Sequence, residues 1–308
     1  VQTCALPISK APLAWVGGIK NITYRVASAK TAQNSPNDYV LIRMDIQHNY
    51  TITPIWDTIS VIPGSEEPDR MIILGNHRDA WVYGAVDPHS GTSTYLELAK
   101  GIGAMLESGW RPKRTIVMCS WDAEEYALIG STEWVEQYEH ILNKQAIAYI
   151  NVDMFVGPNF DAGASPSLAA YILDTAKKVK SPTAGQKNLY ENFQNSQNIA
   201  IGSSTIPSIS ELGSGSDFTA FLQHIGVASI SLGSYGPYGV YHSVYDSFTW
   251  VDTQEPNAFE GEYVAMTEFW GMIAFGLADA KILPFDYVDY ASSIRSNFAL
   301  LKAKVQAA

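Results

Sequence analysis

The hydrophobic pattern of the chain changes its period near residue 71. Before that point apolar and polar residues alternate or β-branched residues cluster, which predicts strands over residues 39–48 and 52–62. Beyond it, short continuous apolar runs predict strands buried on both faces at residues 71–75, 115–119, 146–152 and 227–232. Apolar residues three and four positions apart predict helices over residues 90–106, 130–142, 167–179, 217–224, 256–277 and 287–305.

Strands that alternate with helices indicate a mostly parallel sheet that is covered on both sides. The predicted fold class is therefore α/β, with three α/β/α layers: a central mixed, mainly parallel sheet and helices on both of its faces. Residues 39–62 should form an antiparallel edge of this sheet. Residues 181–215 are rich in Asn, Ser, Gly and Gln and predict a long loop near a binding site.

Composition narrows the class of protein. The 308 residues are 46% hydrophobic and 17% charged, which predicts a folded core and excludes a disordered polypeptide. The formal net charge of −11 argues against a nucleic-acid partner, because phosphate binding needs a basic face. Two cysteines, Cys4 and Cys119, are too few for a disulfide framework. With no apolar stretch of membrane-spanning length and no signal-peptide pattern, we expect a soluble globular domain without a transmembrane segment.

Each predicted buried strand is followed by His, Asp or Glu, and the carboxyl ends of parallel strands meet at one edge of a sheet. The residues that follow the four strands are His77, Asp79 and Asp87, then Glu124 and Glu125, then Asp153, then His242. A single Asp at a strand end is more often a turn or helix-cap residue. Four strand ends that agree indicate a site instead, and His with carboxylates suits zinc, including a pair of ions that share a bridging carboxylate.

Six segments carry a resemblance to a known family, and they occur in that family's order. They are 75–79 (GNHRD), 87–91 (DPHSG), 120–125 (SWDAEE), 130–134 (GSTEW), 149–153 (YINVD) and 241–245 (YHSVY). From about residue 40 to the last helix, the chain resembles the co-catalytic zinc peptidases of the glutamate carboxypeptidase group, which includes the transferrin receptor. The resemblance implies a zinc-exopeptidase fold and two Zn²⁺ ions per chain.

The resemblance also implies how the two ions are held. Asp87 would bridge both ions, His77 and Asp153 would complete one site, and Glu125 and His242 would complete the other. It further implies a cis peptide bond between Asp87 and Pro88.

Roles in catalysis follow from the same resemblance. Glu124 would be the general base, and Tyr241 would donate a hydrogen bond to the tetrahedral intermediate. Asp79 would be the carboxylate that fixes the imidazole tautomer of His77. The residues alone leave open which of the neighbours Glu124 and Glu125 is the base and which the ligand, since the two are chemically identical.

Further positions match the family less completely. The resemblance implies a substrate pocket at Leu128, Gly215 and Ser216 and a structural Ca²⁺ site at Glu133 and Glu136, for which a solvated helix face is the alternative. Glutamate carboxypeptidase itself has an arginine patch for acidic substrates, and this chain has no arginine at the corresponding positions near 163 and 231–233. It has Ser216 where that enzyme has Asn.

The resemblance implies a domain organisation and a setting for the full-length protein. Residues 1–38 would be an N-terminal remnant or loop, 39–282 the peptidase domain, and 283–308 the start of a helical, dimerisation-like domain of a homodimer. Asn21 and Asn49 begin glycosylation sequons. About two such sequons are expected by chance in a chain of this length. The family resemblance alone implies that the full-length protein is extracytoplasmic, vacuolar or membrane-anchored, and hence a glycoprotein.

These inferences lead to one principal functional hypothesis and two alternatives. The principal one is a metallo-exopeptidase, a carboxypeptidase or dipeptidase that acts on short peptides. An aminopeptidase on the same scaffold would need an acidic group to hold the free amine of its substrate. A catalytically inactive, receptor-like binding protein is disfavoured, because all five implied ligands and the base are present.

Overall fold

The computed structural model describes Ile22–Val26, Val40–Met44 and residues 51–307. The chain divides into two compact units, Gln2–Pro54 and a larger one from Ile55 onward. In the first, strand β1 (Ile22–Val26) pairs antiparallel with β2 (Val40–Met44). The predicted strand at 39–48 is therefore confirmed at its centre, but its placement at the edge of the central sheet is wrong, since its hydrogen-bonding partner is β1.

The larger unit contains a seven-stranded mixed sheet. Its strands are β3 (Thr58–Ile62), β4 (Glu67–His77), β5 (Arg114–Trp121), β6 (Ala146–Val152), β7 (Asn159–Ala164), β8 (Ser210–Glu211) and β9 (Ala228–Tyr235). Their spatial order is β3-β5-β4-β6-β9-β7-β8. The four central strands β5, β4, β6 and β9 are parallel, whereas β3 runs antiparallel to β5 and β7 antiparallel to β9. The mixed, mainly parallel sheet is confirmed, with its antiparallel edge at β3.

The middle parts of strands β4, β5 and β6 are continuous apolar runs because both faces of the sheet are covered. In β4, Ile72 and Leu74 pack into the core on one face, and Ile73 packs with Val117 and Tyr149 on the other. All eight residues of β5 are buried. Alternate side chains of a strand point to opposite faces, so a continuous apolar run is the expected pattern here.

Within residues 51–307 the chain forms seven α-helices. They are α1 (His89–Glu107), α2 (Ile129–Gln145), α3 (Ala169–Ala176), α4 (Leu189–Ser196), α5 (Phe248–Gln254), α6 (Tyr263–Asp279) and α7 (Tyr287–Ala307). Helices α1, α3 and α6 contribute to the core on one face of the sheet, and α2 with the π-helical segment Ala220–His224 contributes to the core on the other. This arrangement confirms the predicted α/β/α layers.

The predicted loop over residues 181–215 is wrong in two places, because α4 and β8 lie inside it. Helix α4 is held by Leu189 and Phe193, which are four residues apart and fully buried. Asn188 caps the helix by accepting the backbone N–H of Glu191 at 3.0 Å. Two apolar residues in a polar segment give only a weak helical period in the sequence. The helix therefore forms because these residues pack against the core.

Strand β7 was not predicted. Its residues 162–164 are Ala, Gly and Ala, which have little intrinsic preference for strands. The strand forms because it pairs with β9, from Asn159 opposite Tyr235 to Ala164 opposite Ile230.

Among the helices of the described residues, none combines the length and the hydropathy that a membrane crossing requires. The predicted domain limits at residues 39 and 282 stay predictions.

Gly75 of β4 provides a test of the packing. A Cβ atom at this position would overlap the Tyr149 phenol oxygen and lie 2.6 Å from Trp121 Nε1. Both neighbours are fully buried, so we expect Gly75→Ala to lower the free energy of unfolding by about 1–3 kcal/mol, measured by urea denaturation.

Gly101 in α1 is the matched control, because a Cβ there meets nothing within 4 Å. Gly101→Ala should raise the free energy of unfolding by about 0.5–1 kcal/mol, since alanine restricts the unfolded chain and favours the helix. A Gly75→Ala protein as stable as the wild type would contradict the packing described for this strand.

Candidate metal centre

Ligand-type side chains meet at the carboxyl ends of the parallel strands. His77 is the last residue of β4, and Asp153 directly follows β6. Glu124 and Glu125 lie in the loop after β5, and His242 lies in the loop after β9. The fold therefore brings together side chains that are up to 165 positions apart in the sequence, at the sheet edge where parallel α/β folds bind ligands.

The first group consists of His77, Asp87 and Asp153. The Nε2 atom of His77 lies 2.9 Å from Asp153 Oδ1 and 3.4 Å from Asp87 Oδ1. One ligand atom from each residue lies within 4.8 Å of the others, a spacing that could enclose a metal ion.

The second group consists of Asp87, Glu125 and His242. The Nε2 atom of His242 lies 3.0 Å from Asp87 Oδ2 and 3.2 Å from Glu125 Oε2. Asp87 thus turns one oxygen to each group, as a bridging carboxylate does. The Oε1 atom of Glu125 is buried without a hydrogen-bond partner, which a bound cation would satisfy. Oxygen and imidazole nitrogen donors in this arrangement fit zinc.

Glu124 faces the centre but belongs to neither group. Its side chain is 11% exposed, and its Oε2 atom lies 3.9 Å from His77 Nε2. Burial, together with the negative charges of Asp153 and Asp217, raises the pKa of Glu124 to about 9. The positive charge of His77 lowers this pKa but is outweighed. A buried carboxyl beside the ligands is placed to exchange a proton with a bound molecule.

Burial and neighbouring charges also shift the pKa values of Glu125, His77 and His242. Burial raises the pKa of Glu125 to about 7, and the Asp87 charge adds to this. Burial lowers the pKa of His77, but the Asp153 charge and hydrogen bond outweigh it and raise that pKa well above its ordinary value. Burial lowers the pKa of His242, but its hydrogen bond to Asp87 and the charges of Glu125, Asp87 and Asp153 together outweigh burial and raise that pKa. Clustered carboxylates thus favour positive charge at this centre.

Asp79 links the imidazole to the glutamate pair. Its backbone carbonyl accepts the Nδ1–H of His77 at 3.0 Å, while its carboxylate lies 3.5 Å from the same nitrogen. The carboxylate accepts the backbone N–H groups of Glu124 at 3.0 Å and Glu125 at 3.1 Å. With Nδ1 protonated, His77 presents Nε2 to the centre, so Asp79 supports the implied tautomer mainly through its carbonyl oxygen.

A buried chain of hydrogen bonds ends on Asp153. Trp121 Nε1 donates to Tyr149 OH, Tyr149 OH to Asn151 Oδ1, and Asn151 Nδ2 to Ser216 Oγ, each at 2.9 Å. Ser216 in turn donates to Asp153 Oδ2 through a short hydrogen bond. Indole is only a donor and a carboxylate only an acceptor, so the two ends fix the direction of every bond between them. The chain leaves Asp153 Oδ1 facing His77.

Sequence reasoning missed Trp121, Tyr149 and Asn151 as supports of the site. The signal was present in the segments 120–125 and 149–153, where polar or amphipathic residues sit in strands that are otherwise apolar. All three side chains are fully buried, and a buried polar group needs a partner.

Several backbone positions near the centre are unusual. The peptide bond between Asp87 and Pro88 is cis, as the resemblance implied. His242, Ala123 and Leu128 have left-handed φ values of 55°, 56° and 60°. Such conformations cost energy for residues with a side chain and are concentrated at functional sites.

Among the predicted substrate-pocket residues and Tyr241, contacts to the ligand-type residues come from Ser216, which donates to Asp153, and from Tyr241. The Tyr241 ring is half-exposed and stacks on His242, with centroids 3.7 Å apart. Leu128 precedes α2, and Gly215 is exposed in the loop before the buried Ser216. The substrate-pocket role of these residues stays a prediction.

Glu133 and Glu136 are exposed on α2, and within residues 51–307 neither belongs to a group of three ligand-type side chains. The calcium site stays a prediction. The sequon residues Asn21 and Asn49 lie outside the described residues.

The chain is similar to one protein-family model and to several curated proteins. The family model described as "Peptidase family M28" matches residues 57–265. The probable glutamate carboxypeptidase LAMP1 of Arabidopsis thaliana is 41% identical over 295 residues, which are 95% of this chain and 42% of that protein. The aminopeptidase NAALADL1 of Mus musculus is 33% identical over 308 residues, which cover 95% of this chain and 41% of that protein. The chain thus spans about two fifths of the length of these curated relatives.

Comparison with solved structures supports the fold. A peptidase M28 precursor from Shewanella amazonensis has a TM-score of 0.52 and 21% identity, covering 80% of this chain and 48% of that one. The zinc aminopeptidase BSAP from Bacillus subtilis has a TM-score of 0.52 and 18% identity, covering 75% of this chain and 52% of that one.

The hydrogen-bond chain to Asp153 generates a prediction about metal affinity. Tyr149→Phe removes the hydroxyl that joins Trp121 to Asn151, so Asn151 and Ser216 no longer have fixed orientations. We expect Zn²⁺ affinity at the group of His77, Asp87 and Asp153 to fall at least about 10-fold, measured by competition with a chromophoric chelator.

Tyr171→Phe is the matched control, because it removes another hydrogen-bonded tyrosine hydroxyl, which is partly buried and donates to the Ile273 carbonyl at 2.8 Å in the helical layer. It should change stability without changing Zn²⁺ affinity. Equal affinities in Tyr149→Phe and the wild type would mean that the chain does not orient Asp153.

Proposed function

Because the chain belongs to peptidase family M28, we propose that it carries the active site of a zinc-dependent exopeptidase that hydrolyses short peptides. The observation that carries this proposal is the pair of ligand groups that share Asp87, with the Glu124 carboxyl beside them. Relatives named probable glutamate carboxypeptidases support a carboxypeptidase or dipeptidase reaction, and a relative named as an aminopeptidase supports the alternative.

We propose two Zn²⁺ ions per chain. His77, Asp87 and Asp153 would hold one ion, and Asp87, Glu125 and His242 would hold the other. The two oxygens of Asp87, one directed to each imidazole, support this count. Bound zinc supplies Lewis acidity, which lowers the pKa of water and polarises a peptide carbonyl.

The side chains of this protein would then move the protons. Glu124 takes a proton from the attacking water and returns it to the nitrogen of the leaving amine. Its pKa of about 9 without metal would fall towards neutrality beside cations, where a general base and acid is most effective. Tyr241, beside His242, donates a hydrogen bond to the oxygen that becomes negative in the transition state.

The same geometry argues against a catalytically inactive, receptor-like binding protein. A receptor-like protein that had lost catalysis would have no need of a complete set of ligands with a separate carboxyl beside them. Here the ligand groups are complete, and Asp79 holds the backbone of both Glu124 and Glu125 in place. This arrangement favours an enzyme.

We also propose that the full-length protein is a homodimer in an extracytoplasmic or vacuolar setting, possessing a glycosylated surface and a structural Ca²⁺ ion. Helix α7 supports the dimer, because apolar side chains three, four or seven positions apart lie exposed along one side of it. These are Tyr287, Ile294, Phe298, Leu301 and Val305.

The division of roles between the adjacent glutamates is directly testable. Glu124→Gln keeps the size of the side chain but removes the basic oxygen, so both Zn²⁺ ions should remain while kcat falls at least about 100-fold. Glu125→Gln should instead lower the amount of bound Zn²⁺. Metal content by mass spectrometry and kcat on a panel of dipeptides are the measurements.

Two outcomes for this pair of variants would contradict the assigned roles or the proposal itself. Loss of metal in Glu124→Gln, with full activity in Glu125→Gln, would exchange the two roles. Unchanged activity in both variants would end the peptidase proposal.

End preference can be measured with blocked peptides. A carboxypeptidase should cleave an N-acetylated dipeptide and reject one with an amidated C-terminus, because it must bind a free carboxylate. An aminopeptidase should show the opposite preference, and cleavage of both substrates at equal rates would contradict exopeptidase activity.

A further inference from the structure

Asp246 is a buried carboxylate that no sequence motif singled out. It is 2% exposed and accepts three hydrogen bonds with its side chain. Oδ1 accepts the backbone N–H of Val86 at 2.9 Å, and Oδ2 accepts the backbone N–H of Asp87 at 3.1 Å and the hydroxyl of Tyr238 at 2.7 Å. One side chain therefore joins the segment that carries the bridging residue to a loop about 160 positions away in the sequence.

The backbone of Asp246 strengthens the same connection. Its carbonyl oxygen accepts the N–H of Ala85 at 3.2 Å, so three consecutive residues, 85–87, donate to this one aspartate. Hydrogen bonds to an ionised acceptor are stronger than those between neutral groups. A shift of residues 85–87 would break several of these bonds at once and leave a buried charge short of donors.

The loop that carries His242 is closed by the same side chain. Tyr238 lies four residues before His242 and Asp246 four residues after it, and the hydrogen bond between them joins the two ends of the loop. Between these ends, Tyr241 contacts the Tyr238 ring edge-on at 5.9 Å and stacks on His242 at 3.7 Å. The imidazole is therefore held by a closed loop that is itself attached to residues 85–87.

We propose that Asp246 is a positioning residue for the second metal group, Asp87, Glu125 and His242. By tying residues 85–87 to the His242 loop, it sets the 3.0 Å separation between Asp87 Oδ2 and His242 Nε2. The inference rests on the proposed function, since it requires that this group holds a metal ion.

The first metal group has supports of its own. His77 is oriented by Asp79 and Asp153 by Ser216, and neither support involves Asp246. Of the first group Asp246 holds only Asp87, whereas of the second group it holds both Asp87 and the loop of His242. Both His77 and Asp153 also lie at the ends of buried central strands. Loss of Asp246 should therefore weaken the two metal sites unequally, which a general loss of stability would not do.

Asp246→Asn is the decisive variant, because it keeps the shape but places an amide NH₂ where an oxygen accepted a hydrogen bond. We expect the affinity for the second Zn²⁺ to fall about 10- to 100-fold, and the affinity for the first Zn²⁺, which shares only Asp87 with that group, to fall by a clearly smaller factor. The measurements are Zn²⁺ titration against a chromophoric chelator and the absorption spectrum of the protein loaded with Co²⁺. The wild type should give two binding steps, and the variant one tight and one weak step.

Asp279→Asn is the matched control. Asp279 also joins two elements, since it accepts Trp110 Nε1–H at 3.1 Å and the Lys113 backbone N–H at 2.8 Å. It lies beside the start of β5, at the opposite end of that strand from Glu124 and Glu125. Asp279→Asn should leave both Zn²⁺ affinities unchanged.

Tyr238→Phe covers the case in which Asp246→Asn does not fold. It removes one of the three side-chain hydrogen bonds, so the affinity for the second Zn²⁺ should fall by a smaller factor than in Asp246→Asn, and the affinity for the first Zn²⁺ should fall less than that for the second. Tyr149→Phe should give the reverse order, because it acts on Asp153 of the first group.

Two results would overturn the inference: both Zn²⁺ ions bound by Asp246→Asn as tightly as by the wild type, or both weakened by the same factor. With Tyr238→Phe as the only folded variant, an unchanged second Zn²⁺ overturns it. A wild-type protein that binds no Zn²⁺ would refute the proposed function as well. A wild type that binds two Zn²⁺ ions and hydrolyses peptides, beside an unaffected Asp246→Asn, would refute the role of Asp246 alone.

Discussion

Electrostatic repulsion among buried carboxylates is the constraint on which this structure depends. Asp87, Glu124, Glu125 and Asp153 converge at one end of the sheet, where little water is available to screen their charges. Such a cluster persists only when each carboxylate is held by donors or balanced by positive charge. The raised pKa values of Glu124 and Glu125 show that ionising these two carboxyl groups costs free energy here, and a bound cation would reduce that cost.

The supports of the site divide between two kinds of structural element. In the first metal group His77 and Asp153 lie at the ends of buried parallel strands, and their outer contacts run through Asp79 and through the hydrogen-bond chain from Trp121 to Ser216. The second group stands on loops, and Asp246 provides the connection that strands provide elsewhere. The strand-borne ligands are therefore rigidly placed, whereas the geometry of the loop-borne ligands depends on a few hydrogen bonds. Loops are also where proteins most often place residues that contact substrates.

The polar interior has consequences for packing as well as for chemistry. The chain of hydrogen bonds crosses the core beneath the centre, and Gly75 leaves the space that Tyr149 and Trp121 need in order to meet. Tyr149 also stacks on Phe221, with centroids 4.0 Å apart, so the same side chain fills the apolar layer and orients a polar one. Fully satisfied networks of this kind rigidify a core, and a partly satisfied one would be costly.

The sequence alone determined those features that follow from local period and from position along a strand. The apolar runs of β4, β5 and β6, the helices that alternate with them, and the polar residues at the strand ends were all predictable for that reason, and the family resemblance assigned roles to His77, Asp87, Glu124, Glu125, Asp153 and His242. Only the tertiary structure decided that β2 pairs with β1, that α4 is held by Leu189 and Phe193, and that Ser216 and Asp246 support ligands carried by other segments. A hydrogen bond or a packing contact between residues far apart in the chain leaves no periodic trace in the sequence, so these features appear only when the segments are brought together.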